Sequence, residues 1–423
     1  MANLGLLGIG TVGSGVYEIL NERKTELESL TGTDINIEKI LVRDINKKRD
    51  NNIPSSLFTE EPKDIIDNPD IDIVVEVMGG IHPTLEYITT ALKNGKHVVT
   101  ANKAVIANHT KELIELADKY DRALLFEASV GGGIPVLKPL KQASSINNIE
   151  KIQGILNGTT NFILSKMTDE NLGFDEALDL AHKLGYAEAD PTDDIEGYDA
   201  ARKVAILSSI AFKSYVGFND VVCRGITNVN ILDIELFKSL GLVVKLLGNS
   251  IKCGNNFSAS VEPVLVDANS QLGNVNDAFN VVSVEGDFVG ELQFYGQGAG
   301  KGPTANAVVS DILDILNKEY KSYSLKNSNN LTPSGVRLFK GQYYLRLSTD
   351  DKSKYTKIIN ILKKSDIEYS IIYMEKDLAL LTESISANVM EDIVKELDVP
   401  NKALCYLRIE KKIELSNVSQ LAV

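Results

Sequence analysis

Residues 181–203 read AHKLGYAEADPTDDIEGYDAARK, and six carboxylates crowd into them: Glu188, Asp190, Asp193, Asp194, Glu196 and Asp199. That is more acid than a loop needs. An EF-hand calcium loop wants glycine at its sixth position, and counted from Asp190 that position is Ile195, so calcium of that kind is excluded. Asp199 and Lys203 stand four apart and share one face of any helix that carries them. Exposed, such a pair contributes only ~0.3 to 0.5 kcal/mol and is ordinary surface. Here Gly185 and Gly197 precede it and Val204, Ala205, Ile206 and Leu207 continue it. The pair is therefore expected at the edge of buried structure, where it becomes a site candidate.

A second chemistry is written in GIGTVGSG, residues 8–15, which sets Gly8, Gly10 and Gly13 in GxGxxG spacing around Thr11 and Val12. Gly8 permits a tight turn, Gly10 lets a pyrophosphate approach the backbone, and Gly13 lets a helix pack closely on a sheet. The free N–H groups and positive dipole of the helix start then face the phosphates. Without a ligand the same string is a glycine-rich turn; its position between a strand and a helix favours a dinucleotide. Where a second strand should end, the chain offers Val42, Arg43 and Asp44, then Lys47, Lys48 and Arg49. Arg43 suits an adenosine 2′-phosphate and so NADP. Asp44 could instead serve a ribose, as in NAD enzymes, and the basic cluster could be a solvated turn. Lys103, in TANKAVI, follows a strand candidate at the edge where open α/β sheets bind ligands. An isolated exposed lysine is the plain alternative.

These residues need elements to hold them. Residues 3–9 are a short apolar run ending in glycine, and 12 to about 30 carry helical spacing at Val16, Ile19, Leu20 and Leu27. Strand candidates follow at 37–42, 71–77, 96–100 and 123–127, with helices at 83–93 and 110–119 between them. Alternation of this kind implies a parallel, doubly wound sheet. From about residue 149 the pattern changes to strands such as 257–266 and 281–284 and helices near 175–184 and 198–212, the signature of an α+β domain. The polar stretch 323–335, with SLKNSNNLTPSG at its centre, reads as a linker. Beyond it, strands at 342–347, 367–373, 378–381 and 403–409 and helices at 353–364 and 387–397 follow the order β-α-β-β-α-β.

Composition narrows the class. The chain has 423 residues, 43% of them hydrophobic and 24% charged, and its net charge of −14 argues against a broad nucleic-acid surface. Any anionic ligand must find local basic residues. Cys223, Cys253 and Cys405 are odd in number and widely spaced, which fits a reducing cytoplasm rather than a disulfide framework. The start MANLGLLGIG reads as a buried strand, not a signal peptide, and no run reaches the ~20 apolar residues of a membrane span. His82, His97, His109 and His182 show no metal-ligand spacing.

Together these segments are similar to the homoserine dehydrogenase family. Ala181, Gly185, Tyr186, Ala187, Asp190, Pro191, Asp194, Ile195, Gly197, Asp199 and Lys203 satisfy its signature without a gap, and GIGTVGSG, TANK, EASVGGGIP, LNGTTN and GAGKGPTANAVVSD resemble its other segments in order, over about residues 1–320. The resemblance implies NAD(P)-dependent interconversion of L-aspartate 4-semialdehyde and L-homoserine, in the branch leading to threonine, methionine and isoleucine. It implies Lys203 as general acid and base, Asp199 orienting it or holding substrate, and Glu188 binding the substrate ammonium. Lys103 would lie where cofactor meets substrate, with Gly185 and Gly300 at backbone positions near substrate and cofactor. Glu127 with the carbonyls of Val130, Gly132 and Ile134 resembles a structural sodium site. The implied architecture is a Rossmann-type domain over 1–135 completed by about 302–320, then a catalytic and dimerisation domain over 136–301. A linker over 321–339 leads to a ferredoxin-like domain over 340–423 resembling an ACT module. Threonine is the effector such a module would bind, although Ser348 to Ser353 replaces the usual turn after its first strand. A homodimer or homotetramer is expected, with no nucleic-acid or membrane partner. Another nicotinamide-dependent aldehyde reductase, or a non-catalytic dinucleotide and amino-acid sensor, remains open at this point.

Overall fold

Strand segments such as LGLL and IVVE have no alternation of apolar and polar residues, which suits strands covered on both faces. In the computed structural model, which describes residues 1–49, 53–322 and 329–418, they form the centre of a parallel sheet. The chain divides into two compact units, one of Met1–Ile149, Ala205–Phe218 and Val284–Asn330, the other of Glu150–Val204, Asn219–Ser283 and Leu331–Val423.

The first unit carries strands β1 (Ala2–Leu7), β2 (Ile35–Leu41), β3 (Phe58–Thr59), β4 (Ile73–Glu76), β5 (His97–Thr100) and β6 (Leu124–Leu125). Their order is β3-β2-β1-β4-β5-β6, parallel throughout. This is the doubly wound sheet that the strand and helix alternation implies. Leu4, Leu6, Val75 and Val99 pack beneath Val16 and Leu20 of helix Thr11–Glu22 and beneath Ala305, Val308 and Ile312 of helix Lys301–Leu316. A Cβ on Gly15 would lie 2.8 Å from that of Ala305, so glycine sets the approach of the two helices. The helix expected over 12–30 is broken at Arg23 into Thr11–Glu22 and Lys24–Thr31. The helix expected at 110–119 begins earlier, at Lys103, because Asn102 caps it, and it is kinked at His109.

The second unit holds β7 (Ile149–Ile155), β8 (Val221–Cys223), β9 (Leu242–Cys253), β10 (Asn256–Asp267) and β11 (Phe279–Gly286). The chain continues through β12 (Gly290–Gln297) and β13 (Thr332–Pro333) to β14 (Lys340–Ser348), β15 (Tyr369–Met374), β16 (Asp377–Thr382), β17 (Ile385–Ser386) and β18 (Leu404–Ile409). Its sheet runs β11-β7-β9-β10-β18-β14-β16-β15. Residues 340–409 take the β-α-β-β-α-β order, with helices Ser353–Lys364 and Ala387–Leu397 packing Ile358, Leu362, Met390 and Ile393 on Leu345, Leu378 and Leu380. These strands do not stand apart: β18 pairs in parallel with β10, Val264 opposite Arg408 and Leu265 opposite Ile409. Of the expected linker, 323–328 lie outside the described residues. Thr332 and Pro333 are already paired with Asn256 and Phe257, and Ser334 donates to the Phe257 carbonyl at 2.8 Å. At 332–334 the chain is thus bonded to a sheet margin. Helix Gly158–Glu170 is absent from the sequence reading because eight of its residues are buried around its circumference, which erases the amphipathic period. Among the described residues no helix is long and apolar enough to cross a membrane.

Candidate active site

In the first unit β1 ends at Leu7 and the chain turns at Gly8, whose φ of +109° favours glycine. A Cβ on Gly13 would meet the Gly8 carbonyl oxygen at 2.4 Å, so glycine lets the helix start press on the turn. A Cβ on Gly10 would meet nothing within 4 Å. It would project into open space beside the start of helix Thr11–Glu22, where no side chain caps the N–H groups that Thr11, Val12 and Gly13 belong to. The cleft there measures about 620 Å³ and is lined by Gly8, Gly10, Arg43, Asp44, Met78 and Gly79 among others. An approachable glycine, an uncapped helix start and a local guanidinium together fit a dinucleotide.

The basic cluster separates by role. Arg49 donates to the carbonyls of Asp44 and Lys47 at 2.7 and 2.9 Å and stacks over Phe58, so it braces the loop. The Asp44 carboxylate accepts the Asn46 N–H at 2.8 Å as part of the same turn. Arg43 and Lys47 remain exposed on the cleft wall. Lys103 is half-buried at the first turn of helix Lys103–Lys119, immediately after β5.

Glu76, at the end of β4, has no counterpart in the sequence reading. It is fully buried and accepts from the Met78 N–H at 2.7 Å and the Thr100 hydroxyl at 2.6 Å, which holds the glycine loop beside the cleft to the end of β5. Burial raises its carboxyl above the usual range, against the pull of those donors. Only its place at a strand end signalled it.

Glu127 is buried, and its carboxylate accepts the N–H groups of Val136, Leu137 and Lys138 at 2.6, 2.7 and 2.9 Å, anchoring the start of helix Leu137–Ile146. Burial raises its pKa and these donors oppose the rise. Val130, Gly132 and Ile134 lie in a buried turn with Gly131 and Gly132 at φ of +73° and +55°. The three N–H bonds leave acceptor capacity on the carboxylate, and with the backbone oxygens of this turn it offers the all-oxygen donors a hard cation would use. Gly300, φ +120°, begins helix Lys301–Leu316 with no side-chain cap.

In the second unit the six acids of residues 181–203 take different duties. Asp190 accepts the Thr192 N–H and Asp193 forms a two-point pair with Arg202, at 2.7 and 3.2 Å. Glu188 is exposed, and so is Gly185, whose φ is +78°. Asp199 and Lys203 are the buried ones, their side chains 6% and 10% exposed. Lys203 Nζ donates to Asp199 Oδ2 at 2.8 Å and to the Leu156 carbonyl at 2.6 Å. Asn157, which caps helix Gly158–Glu170, donates from Nδ2 to Asp199 Oδ2 at 2.8 Å and to Asp194 Oδ1 at 2.6 Å. Burial pushes the Asp194 carboxyl up while the Asn157 hydrogen bond pulls it down. Leu156 and Asn157 escaped assignment because they lie some forty residues earlier; the string LNGTTN was their only signal. An ammonium and a carboxylate held together away from water can hand a proton to an oxygen that is gaining charge. A cleft of about 950 Å³ elsewhere in this unit, lined by Phe339, Gln342, Arg408 and Glu410 among others, shares no residue with this group.

Comparison with known proteins agrees across the chain. Residues 8–127 match the family described as "Homoserine dehydrogenase, NAD binding domain", and residues 135–313 match "Homoserine dehydrogenase". A homoserine dehydrogenase of Bacillus subtilis is 41% identical over 378 residues, covering 87% of this chain and 86% of that protein. The crystal structure of a homoserine dehydrogenase from Thiobacillus denitrificans superimposes with a TM-score of 0.89 at 36% identity, covering 97% of this chain and 98% of that one. A hyperthermophilic archaeal homoserine dehydrogenase solved in complex with NADPH aligns at a TM-score of 0.64 and 28% identity, over 75% of this chain and 98% of that one.

Proposed function

The chain belongs to the homoserine dehydrogenase family of NAD(P)-dependent oxidoreductases, and from that premise we propose that it interconverts L-aspartate 4-semialdehyde and L-homoserine with Lys203 as general acid and base. The observation that carries this is the buried Lys203–Asp199 pair inside the acidic segment. A bound nicotinamide supplies or accepts the hydride. As the aldehyde oxygen gains charge, the Lys203 ammonium stabilises it and gives it a proton; in the reverse direction neutral Lys203 takes the hydroxyl proton. Asp199 orients Lys203, and exposed Glu188 binds the substrate ammonium with a charge-assisted bond. Lys103 and the backbone at Gly185 and Gly300 complete the contacts to substrate and cofactor.

Arg43 on the cleft wall favours NADP over NAD, in keeping with the NADPH bound by the archaeal relative. Glu127 together with the backbone oxygens of Val130, Gly132 and Ile134 holds a structural sodium ion. Residues 1–135 with 302–320 serve the cofactor, 136–301 serve the substrate and a homodimer or homotetramer contact, and 340–423 form an ACT-like part open to threonine. The work belongs to threonine, methionine and isoleucine synthesis in a reducing cytoplasm, where the free thiols of Cys223, Cys253 and Cys405 persist.

The test is homoserine-dependent reduction of NADP by the purified protein, repeated with added threonine. Lys203→Ala should lower kcat at least ~10²-fold while cofactor binding persists, since general acid–base assistance contributes about 10² to 10⁴. Turnover at the native rate would remove Lys203 from the mechanism.

A further inference from the structure

We propose that Asn157 is a positioning residue for the proton-transfer pair, its side-chain amide holding the Asp199 and Asp194 carboxylates in one arrangement around Lys203. The inference rests on the assignment of Lys203 as the proton-transferring group. One nitrogen, Nδ2, donates to Asp194 Oδ1 at 2.6 Å and to Asp199 Oδ2 at 2.8 Å. The oxygen it meets on Asp199 is the one that accepts from Lys203 Nζ. Two carboxylates placed around one ammonium repel each other, and a neutral double donor between them offsets that repulsion without adding a charge that would change the basicity of Lys203. The preceding residue shares the task, because the Leu156 carbonyl accepts from Lys203 Nζ at 2.6 Å. This dipeptide therefore touches both members of the pair.

The backbone beneath Asn157 is pinned. Its Oδ1 accepts the Thr160 N–H at 2.8 Å as the N-cap of helix Gly158–Glu170, and a Cβ on Gly158 would come within 2.8 Å of the Ala278 carbonyl oxygen. The two ends of the amide thus do separate things. The oxygen caps a helix, and the nitrogen orders the acids.

That division gives a test, because aspartate caps a helix as well as asparagine does but, ionised, cannot donate. Asn157→Asp and Asn157→Ser are compared with the native enzyme in thermal melting, NADPH binding, kcat and KM for homoserine, and the pH profile of kcat, alongside Lys203→Ala. We expect both variants to melt within a few degrees of the native protein and to bind NADPH unchanged, with kcat down at least ~tenfold. In Asn157→Asp the added negative charge favours the ammonium form of Lys203, so the acid limb in the oxidative direction, where neutral Lys203 is required, should move up by about one pH unit or more; Asn157→Ser should show no such upward move. Native kcat and pH profile in Asn157→Asp, with Lys203→Ala inactive, would overturn the role of Asn157 and leave that of Lys203 standing. If kcat falls in Asn157→Asp with an unmoved pH profile, or if both variants lose fold and cofactor binding together, Asn157 is a helix cap only and the proposal fails. Native turnover in Lys203→Ala would overturn the Lys203 assignment and this inference with it.

Discussion

At the scale of single residues, chemistry is decided by which charged groups are desolvated. Lys203 and Asp199 are nearly enclosed, whereas Arg43 stays in water on the wall of its cleft. An exposed guanidinium contributes where a ligand brings a matching anion, so its effect should be on cofactor choice rather than on stability. Arg43→Ala should lower the ratio of catalytic efficiency with NADP to that with NAD about tenfold or more, as for loss of a charged hydrogen bond worth ~1.5 to 3 kcal/mol. Its melting temperature should be unchanged. Initial-rate kinetics with both cofactors checks this, and an unaltered ratio would remove Arg43 from cofactor recognition. Both the Asp199–Lys203 pair and the Arg43 cluster were readable from spacing and order along the chain. Asn157 and Glu76 were not, since a polar residue at a strand end or helix start looks the same whether it bonds to its neighbours or to a distant strand.

At the scale of elements, β1, its turn and helix Thr11–Glu22 form the proposed phosphate cradle, whose glycines have unlike reasons for being glycine. The Cβ of Gly10→Ala would enter open space in the cleft, whereas that of Gly13→Ala would collide with the Gly8 carbonyl. Gly10→Ala should therefore weaken NADPH binding at least ~tenfold with stability almost unchanged. Gly13→Ala should weaken binding and also cost about 1 to 3 kcal/mol, the usual range for overpacking. Fluorescence titration with NADPH and denaturant unfolding would distinguish them; equal stability losses would contradict the assigned geometry. The glycine spacing revealed the loop, but only the packed element shows which Cβ has room.

At the scale of the whole molecule, each unit draws its parts from segments far apart in sequence. The first includes Ala205–Phe218 and Val284–Asn330, and the second takes in the C-terminal strands through β10 and β18. A buried charge links those strands to the rest of that unit. Arg346 of β14 holds Asp233 of helix Ile231–Ser239 at 2.7 and 3.1 Å, and Tyr344 donates to the same carboxylate, with Asp233 wholly buried. Removing the cation strands a carboxylate away from water, a change that costs about 3 to 5 kcal/mol. Arg346→Met should lower the stability of this unit by that amount while residues 340–409 still unfold in one transition with it. Calorimetry would contradict the continuity of the sheet if a separate C-terminal transition emerged.

The sequence by itself determined the local matters: strand and helix alternation, the glycine spacing of the turn after β1, the β-α-β-β-α-β order near the C-terminus, and the four-residue interval of Asp199 and Lys203. Each is set by backbone sterics or side-chain periodicity within a few residues, so each leaves a pattern. Tertiary structure alone decided which two of six acids would share an amide, that Glu127 would anchor a helix, and that the C-terminal strands would extend a sheet begun at residue 149. Those outcomes depend on groups tens to hundreds of residues apart losing water together. Desolvation of that kind belongs to the folded assembly of segments and has no short-range period in the chain.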